Sequence, residues 1–440
     1  MDFKSYKQKL QKFIGIKSVS TDSKYQPEIN KTVNWLKTLL KKSGFSVKTL
    51  KGPKTNPIIF GSYNKSSSTE TILIYGHYDV QPASKDEGWT YDPFKMTEKN
   101  GRLLGRGVVD NKGQVLIHIH TITNLIKSGK LKYNIKFIIE GNEETGNEDF
   151  SKIIKDNKEL LKCDHVVVSD GEITNDQPTI DAAFRGGSNL TVTFKTAKTS
   201  LHSGIYGGAI PNAAHELSKL IAKFYDDNNK VTIPGFYKDV DKVTKEELAN
   251  NKSISFSLKE LKKMTGVKQL LTEPRYDFYT QVGLRPMITV TGLKSGYIGE
   301  GYNNIVVNTA EARINFRFVI SQKPKSVLSA FEKFVSKNTP DYVEYKIDKS
   351  ACWSPIKLNV SSDKFKEVKD LLEETYKDSV IFKYVGGSIP AIVDFKEILG
   401  KDTISVGLAN EDCNMHGVDE NFRIDLIKKG LRFSKVFFGE

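Results

Sequence analysis

Three short apolar segments each run straight into a polar, glycine-containing stretch that carries histidine or acid. ILIYGHYDV presents His77 and Asp79, KFIIEGNEETG presents Glu143 and Glu144, and VVVSDGE presents Asp170. A fourth segment, LLGRGVVDNKG, sets Asp110 among glycines just before a helical pattern. One at a time these residues are ordinary. A lone histidine is more often satisfied inside a core, paired acids are more often a solvated turn, and Asp110 could be a helix N-cap. In combination they offer an imidazole and several carboxylates, the donors that borderline Zn2+ accepts, and a two-ion centre needs several carboxylates to offset four positive charges. His77, Asp110, Glu144 and Asp170 supply them. The Gly105-Arg106-Gly107 approach suggests a constrained loop rather than a plain cap. Asp79, two residues after His77, suits an acceptor that fixes the imidazole tautomer.

These residues need elements that bring them to one place. Apolar runs at Thr71 to Tyr75, Ile135 to Ile139 and His165 to Val168 predict strands, and helical spacing marks Tyr6 to Ile14, Ile29 to Leu40 and Gly113 to Ile126. Such alternation implies an α/β sheet layered with helices, and an open α/β sheet puts its site at the carboxyl ends of its strands. From about Gly187 the texture changes. Strand patterns at Asn189 to Phe194, Met287 to Thr291 and Ala312 to Val319, with helices near Asn212 to Tyr225 and Pro324 to Lys337, predict a separate α+β domain. A lysine-rich, less regular stretch runs to about Glu273. After Pro355 the first pattern resumes, with a helix at Asp363 to Tyr376, a strand at Thr403 to Val406 and a closing helix from Asn421. The expected division is 1–184 plus 356–440 for a discontinuous catalytic domain, with 185–355 inserted between them.

Composition sets the outer limits. At 440 residues and 38% apolar the chain suits two domains with real cores. A net charge of +13 comes from lysines spread along the length, without the interleaved aromatics of a nucleic-acid surface, so no nucleic-acid partner is expected. No window approaches the roughly 20 apolar residues of a membrane helix, and the first residues lack a signal-peptide core. Three distant cysteines, Cys163, Cys352 and Cys413, encode no disulfide framework. A cytoplasmic protein is expected.

YGHYDVQPA, GRGVVDNKG, EGNEETGN, VVVSDGE, HSGIYGG and GGSIP occur in this order from about Gly76 to His416. They resemble the signature segments of the carnosinase and cytosolic nonspecific dipeptidase group, within the aminoacylase-1-like cocatalytic metallopeptidases. The resemblance implies a phosphorylase/hydrolase-like three-layer α/β catalytic domain with an inserted α+β lid that also mediates homodimerisation. It implies that His77 and Asp170 hold one zinc, Glu144 and His416 the other, and that Asp110 bridges both, with manganese or cobalt able to share the ligands. It makes Glu143 the general base and His202 a donor to the oxyanion, reaching across from the neighbouring subunit in dimeric members. Arg317 is implied as the clamp for the carboxylate of a small peptide, and Gly387 and Ser388 as its backbone contacts. A cis peptide between Asp110 and Asn111 is also implied. His416 is visible only through the resemblance, because MHG after a strand is a weak signal, and Cys413-x-x-His416 lacks a second thiolate partner. His118, His120, His165 and His215 match no family ligand. Two positions depart from the pattern: Tyr384-Val385 stand where Arg-Glu is common, and Val306 where proline is common. Hydrolysis of dipeptides is the expected activity, with deacylation of N-acyl amino acids or non-catalytic binding as the rivals.

Overall fold

A computed structural model describes residues 2–254 and 258–440. Part of the lysine-rich stretch, 255–257, lies outside the described residues. The chain forms two compact units, Met1–Ala182 with Leu358–Lys383 and Pro390–Glu440, and Ala183–Lys357 with Tyr384–Ile389. Tyr384–Ile389 thus groups with the second unit, whereas the expected division counted those residues with 356–440.

In the first unit the strands lie in the order Ser46–Leu50, Ile58–Tyr63, Asn134–Glu140, Thr71–His77, His165–Val168, Thr403–Gly407 and Thr179–Phe184. The middle four run parallel, and their carboxyl ends therefore share one edge. Those strands are apolar on both faces, as a parallel sheet covered on both sides requires. Thr71–His77 shows the cover directly. Adjacent residues on a strand point to opposite faces. Gly76 leaves room for the helix Lys112–Lys127, since a Cβ there would stand 2.6 Å from Val115 Cγ2. The Tyr75 ring meets Phe150 and Phe395 instead, at centroid distances of 5.9 and 5.7 Å. The helix Lys112–Lys127 is backed in turn by Phe3–Ile14 and Ile424–Phe438. The closing helix starts at Ile424, not at Asn421. Asn421–Arg423 are instead a strand paired with Arg102–Leu104.

The second unit holds an antiparallel sheet in the order Met287–Ser295, Thr309–Phe318, Gly186–Lys195 and Glu344–Trp353. The helices Ala213–Ala222 and Pro324–Asn338 bury Leu217, Leu220, Phe331 and Val335 against Val192, Phe194, Ile314 and Phe316. Its lysine-rich stretch contains the helices Lys245–Ser253 and Leu258–Thr265, which apolar periodicity did not predict.

Candidate metal centre

At the shared carboxyl edge of the parallel strands, His77 ends one strand and Asp170 follows another by two residues. Glu143 and Glu144 open a short turn three residues beyond Glu140. Asp110 arrives from the glycine-rich loop, where Gly105 and Gly107 take φ of +154° and +87°. The peptide bond from Asp110 to Asn111 is cis. The residue that precedes the helix is Asn111, so Asp110 is not its N-cap and its carboxylate is free to face inward. The Asn111 side chain donates to Asp170 Oδ1 and to the Ser169 carbonyl, each at 2.7 Å, and so holds the strand end beside the loop.

Two triads converge on Asp110. His77 Nε2 lies 2.9 Å from Asp110 Oδ1 and 3.5 Å from Asp170 Oδ2. His416 Nε2 lies 2.8 Å from Asp110 Oδ2 and 3.1 Å from Glu144 Oε2. Each oxygen of one carboxylate therefore serves a different imidazole, as a bridging ligand must. His77, Asp110 and Asp170 form one group with metal-ligand spacing, and Asp110, Glu144 and His416 the other.

The donor chemistry calls for cations here. His77 Nδ1 stands 3.0 Å from the Asp79 carbonyl, which can only accept, so Nδ1 carries the proton and Nε2 presents a lone pair. That buried Nε2 has no hydrogen-bond partner among the described residues and faces carboxylate oxygens, which are acceptors too. Acceptors this close are stable only with positive charge between them. Titration tells the same story. The hydrogen bonds that the His416 imidazole can donate to Asp110 and Glu144 raise it to about 10, although burial opposes them. Burial works to lower His77, but the charge of Asp170 and the nearness of the Asp110, Asp170 and Asp79 carboxylates hold it well above its usual value. Burial raises Asp110, yet the two imidazoles hold it well below the carboxylate range. Two divalent ions would take the place of those protons, and the residues present fit them.

Asp79 is the expected acceptor for His77 through its carbonyl, and it has a second job through its carboxylate. Its carbonyl sets the His77 tautomer, and its carboxylate Oδ1 stands farther from Nδ1, at 3.4 Å. That carboxylate instead accepts from Glu143 N–H at 3.3 Å, Glu144 N–H at 3.2 Å and the Ser20 hydroxyl at 2.7 Å, so it builds the turn. Gln81, which motif reasoning passed over, donates to Glu144 Oε2 at 2.7 Å. Burial raises Glu143 well above the carboxylate range; His77 opposes this, while Asp170, Asp110 and Glu144 add to it. Cys413 donates its thiol to Glu172 Oε1 at 3.1 Å, and burial raises its pKa further, so it is no thiolate ligand.

The remaining residues singled out in the sequence belong to the second unit. His202 ends the short strand Leu201–His202, and its Nδ1 accepts from Gly204 N–H at 3.0 Å. Arg317 Nη1 donates to Ser388 Oγ at 3.0 Å, and Ser388 in turn bonds the Arg185 carbonyl. The turn Gly386–Ser388 is held by Arg185, whose Nε donates to Gly386 O at 2.8 Å and whose N–H lies 3.1 Å from Gly387 O. Of the other histidines, His118 joins Ser434 and Ser169, and His120 joins Lys9 and Asn124.

This chain is similar to known proteins in sequence and in fold. A cysteinylglycine-S-conjugate dipeptidase from Corynebacterium striatum is 32% identical over 391 residues, covering 88% of this chain and 84% of that protein. The crystal structure of human carnosine dipeptidase 1 superposes with a TM-score of 0.87 at 25% identity, over 99% of this chain and 95% of that one. An M20 family metallo-carboxypeptidase from Sulfolobus solfataricus gives 0.89 at 28% identity, over 100% and 99%. The model of peptidase family M20/M25/M40 matches residues 73–438, which takes in both triads and the second unit, and the chain belongs to that family.

Proposed function

We propose that this chain is a metal-dependent dipeptidase, which hydrolyses the amide bond of dipeptides or short peptides bearing a free C-terminal carboxylate. The observation that supports it most is the division of the Asp110 carboxylate between two imidazoles, each with its own second acid. In this reading His77 and Asp170 hold one ion, Glu144 and His416 the other, and Asp110 bridges. Zinc suits mixed imidazole and carboxylate donors, and manganese or cobalt can share them. Such ions, when bound, would lower the pKa of a coordinated water and polarise a carbonyl.

The chain's own groups do the rest. Glu143, beside the ligand Glu144, takes the water's proton and returns it to the departing amine. Asp79 keeps Glu143 and Glu144 in register by holding both of their N–H groups. His202 accepts at Nδ1, so its proton sits on Nε2, the form that can donate to a developing oxyanion. Arg317 takes the substrate carboxylate with its planar fork, with Ser388 and Gly387 on the peptide backbone. The second unit acts as lid and as the contact between two copies. Its Ile298 and Tyr302, 92% and 98% exposed, are apolar surface that such a contact would cover. No described helix is long and apolar enough to cross a membrane. The three free cysteines favour a reducing compartment, the cytoplasm.

The test is metal content and turnover for the wild type and Glu143→Ala, across dipeptides and N-acetyl and N-succinyl amino acids. Two ions per chain in both proteins, with turnover of dipeptides in the wild type alone, is the expected result. Undiminished turnover in the variant removes Glu143 from its role, and turnover of the acyl amino acids alone makes the chain a deacylase.

A further inference from the structure

The two triads are fastened differently. His77 lies within a central strand, and Asp170 is tied by Asn111. His416 has no such support: its side chain is 54% exposed, and it sits in a loop where Asn414, His416 and Asp419 all adopt left-handed backbone, φ +54°, +61° and +55°. Asn, His and Asp are the non-glycine residues that adopt this conformation most readily, yet three of them within six positions still need contacts that hold the loop in place.

The surroundings here are a buried ion pair. Arg106 is 3% exposed and Glu420 is fully buried. Arg106 Nη1 donates to Glu420 Oε2 at 2.8 Å, while Nη2 donates to the carbonyls of His416 and Gly417 at 3.1 and 3.2 Å. The Glu420 carboxylate also accepts N–H bonds from Gly107 at 3.0 Å, Val109 at 2.9 Å and Asp110 at 3.2 Å. One guanidinium and one carboxylate thus join the backbone that carries Asp110 to the backbone that carries His416. Trp89 lies under the guanidinium, 5.2 Å from ring centroid to Cζ. Neither charged group touches the His77 and Asp170 side chains.

We propose that Arg106 and Glu420 are positioning residues for the second ion, setting the distance between Asp110 and His416 and so the affinity of the Asp110, Glu144 and His416 triad, while the first triad, which shares only Asp110 with that linkage, depends on it less. This rests on the two-ion reading above. Only a carboxylate can accept from three backbone N–H groups and a guanidinium at once, because glutamine would turn an NH2 toward one of those donors. The planar fork reaches an acid from Nη1 and two carbonyls from Nη2, whereas a lysine ammonium would have to serve all three from one point and draw them together.

The experiment is competitive zinc titration of the full chain against a chromophoric chelator, for wild type, Glu420→Gln, Arg106→Lys and the double variant. Arg102→Ala, which cuts a nearby bidentate pair with Asp412, is the control. The wild type should show two binding steps. Each single variant should keep the first step and weaken the second about 10- to 100-fold, the usual effect of losing a partner that orients a ligand. The double variant should be no weaker than the worse single, since both members serve one linkage, and Arg102→Ala should match the wild type. Should Glu420→Gln not fold, Arg106→Lys carries the test, because it keeps the charge and most of the volume. Equal weakening of both steps, no weakening of the second, or additive losses in the double variant would overturn the proposal. A wild type that takes up fewer than two ions overturns the two-ion reading instead, whatever the variants do.

Discussion

Asp79→Asn should cost stability at the turn that carries Glu143 and Glu144, by an amount that follows from its bonds. The carboxylate is fully buried and accepts three hydrogen bonds, two of them from the backbone N–H groups of that turn. Asparagine keeps the shape but turns one oxygen into an NH2. If it replaces Oδ1, the amine faces Glu143 N–H. If it replaces Oδ2, it faces Glu144 N–H, and only the Ser20 hydroxyl can rotate to accommodate it. Either way a part-buried backbone donor loses its partner, at about 1–3 kcal/mol, and the surviving bonds lose their charge assistance, about 1 kcal/mol more. The expected loss is about 2–4 kcal/mol. Ser20→Ala gives up one bond and should lose about 1 kcal/mol. Urea unfolding at a fixed excess of zinc is the assay, because bound cations offset the repulsion among the carboxylates that would otherwise mask the loss. Turnover should fall with KM nearly unchanged, since the turn presents the base and not the substrate. An Asp79→Asn loss within about 0.5 kcal/mol, or no greater than that of Ser20→Ala, refutes the account of this turn.

His118 is buried, and its pKa is lowered to about 4 by desolvation. Between pH 6.5 and about 4 the unfolded chain therefore binds a proton that the folded chain refuses, so stability falls as pH falls through that window. The fall is on the order of 3 kcal/mol, and unfolding midpoints across it should decline less steeply in His118→Gln. Gly76→Ala drives a Cβ to 2.6 Å from Val115 Cγ2 and 2.8 Å from Asn111 Oδ1. It should lower stability by about 1–3 kcal/mol by thermal unfolding, and an unchanged midpoint would show that the helix can shift. Arg317→Lys should raise KM for a dipeptide roughly tenfold at similar kcat, an effect absent with C-terminally amidated substrates. A change confined to kcat would remove Arg317 from carboxylate binding.

Four of the five proposed ligands were legible from residue type and local pattern. His77, Glu144 and Asp170 each follow an apolar strand, and Asp110 sits among glycines, so the chain itself marks these positions. His416 carries no such mark, because its loop is shaped by Arg106 and Glu420, which are 314 residues apart. An acid in a polar run such as VDENFR looks solvated until the fold buries it. The use of Asp79 was half legible: proximity to His77 suggested the tautomer, but whether carbonyl or carboxylate takes the imidazole N–H depends on how the Glu143 turn folds over it. The helix Lys245–Ser253 has no apolar stripe, yet its capping box, Thr244 with Glu247, was present in the sequence and unused. Nothing local marks where the closing helix begins, and only the partner strand Arg102–Leu104 sets the boundary after Asn421–Arg423.

The convergence on Asp110 also governs when this molecule can mature. Its histidines lie at positions 77 and 416, so a nascent polypeptide emerging from the ribosome exposes the first long before the second exists. Until His416 has been made, the half-built edge offers crowded acids without their full complement of neutralising partners. In the two-ion reading, cation loading therefore waits for residue 416, and a chain cut before that residue should lack the paired centre even where most of the sheet can still assemble.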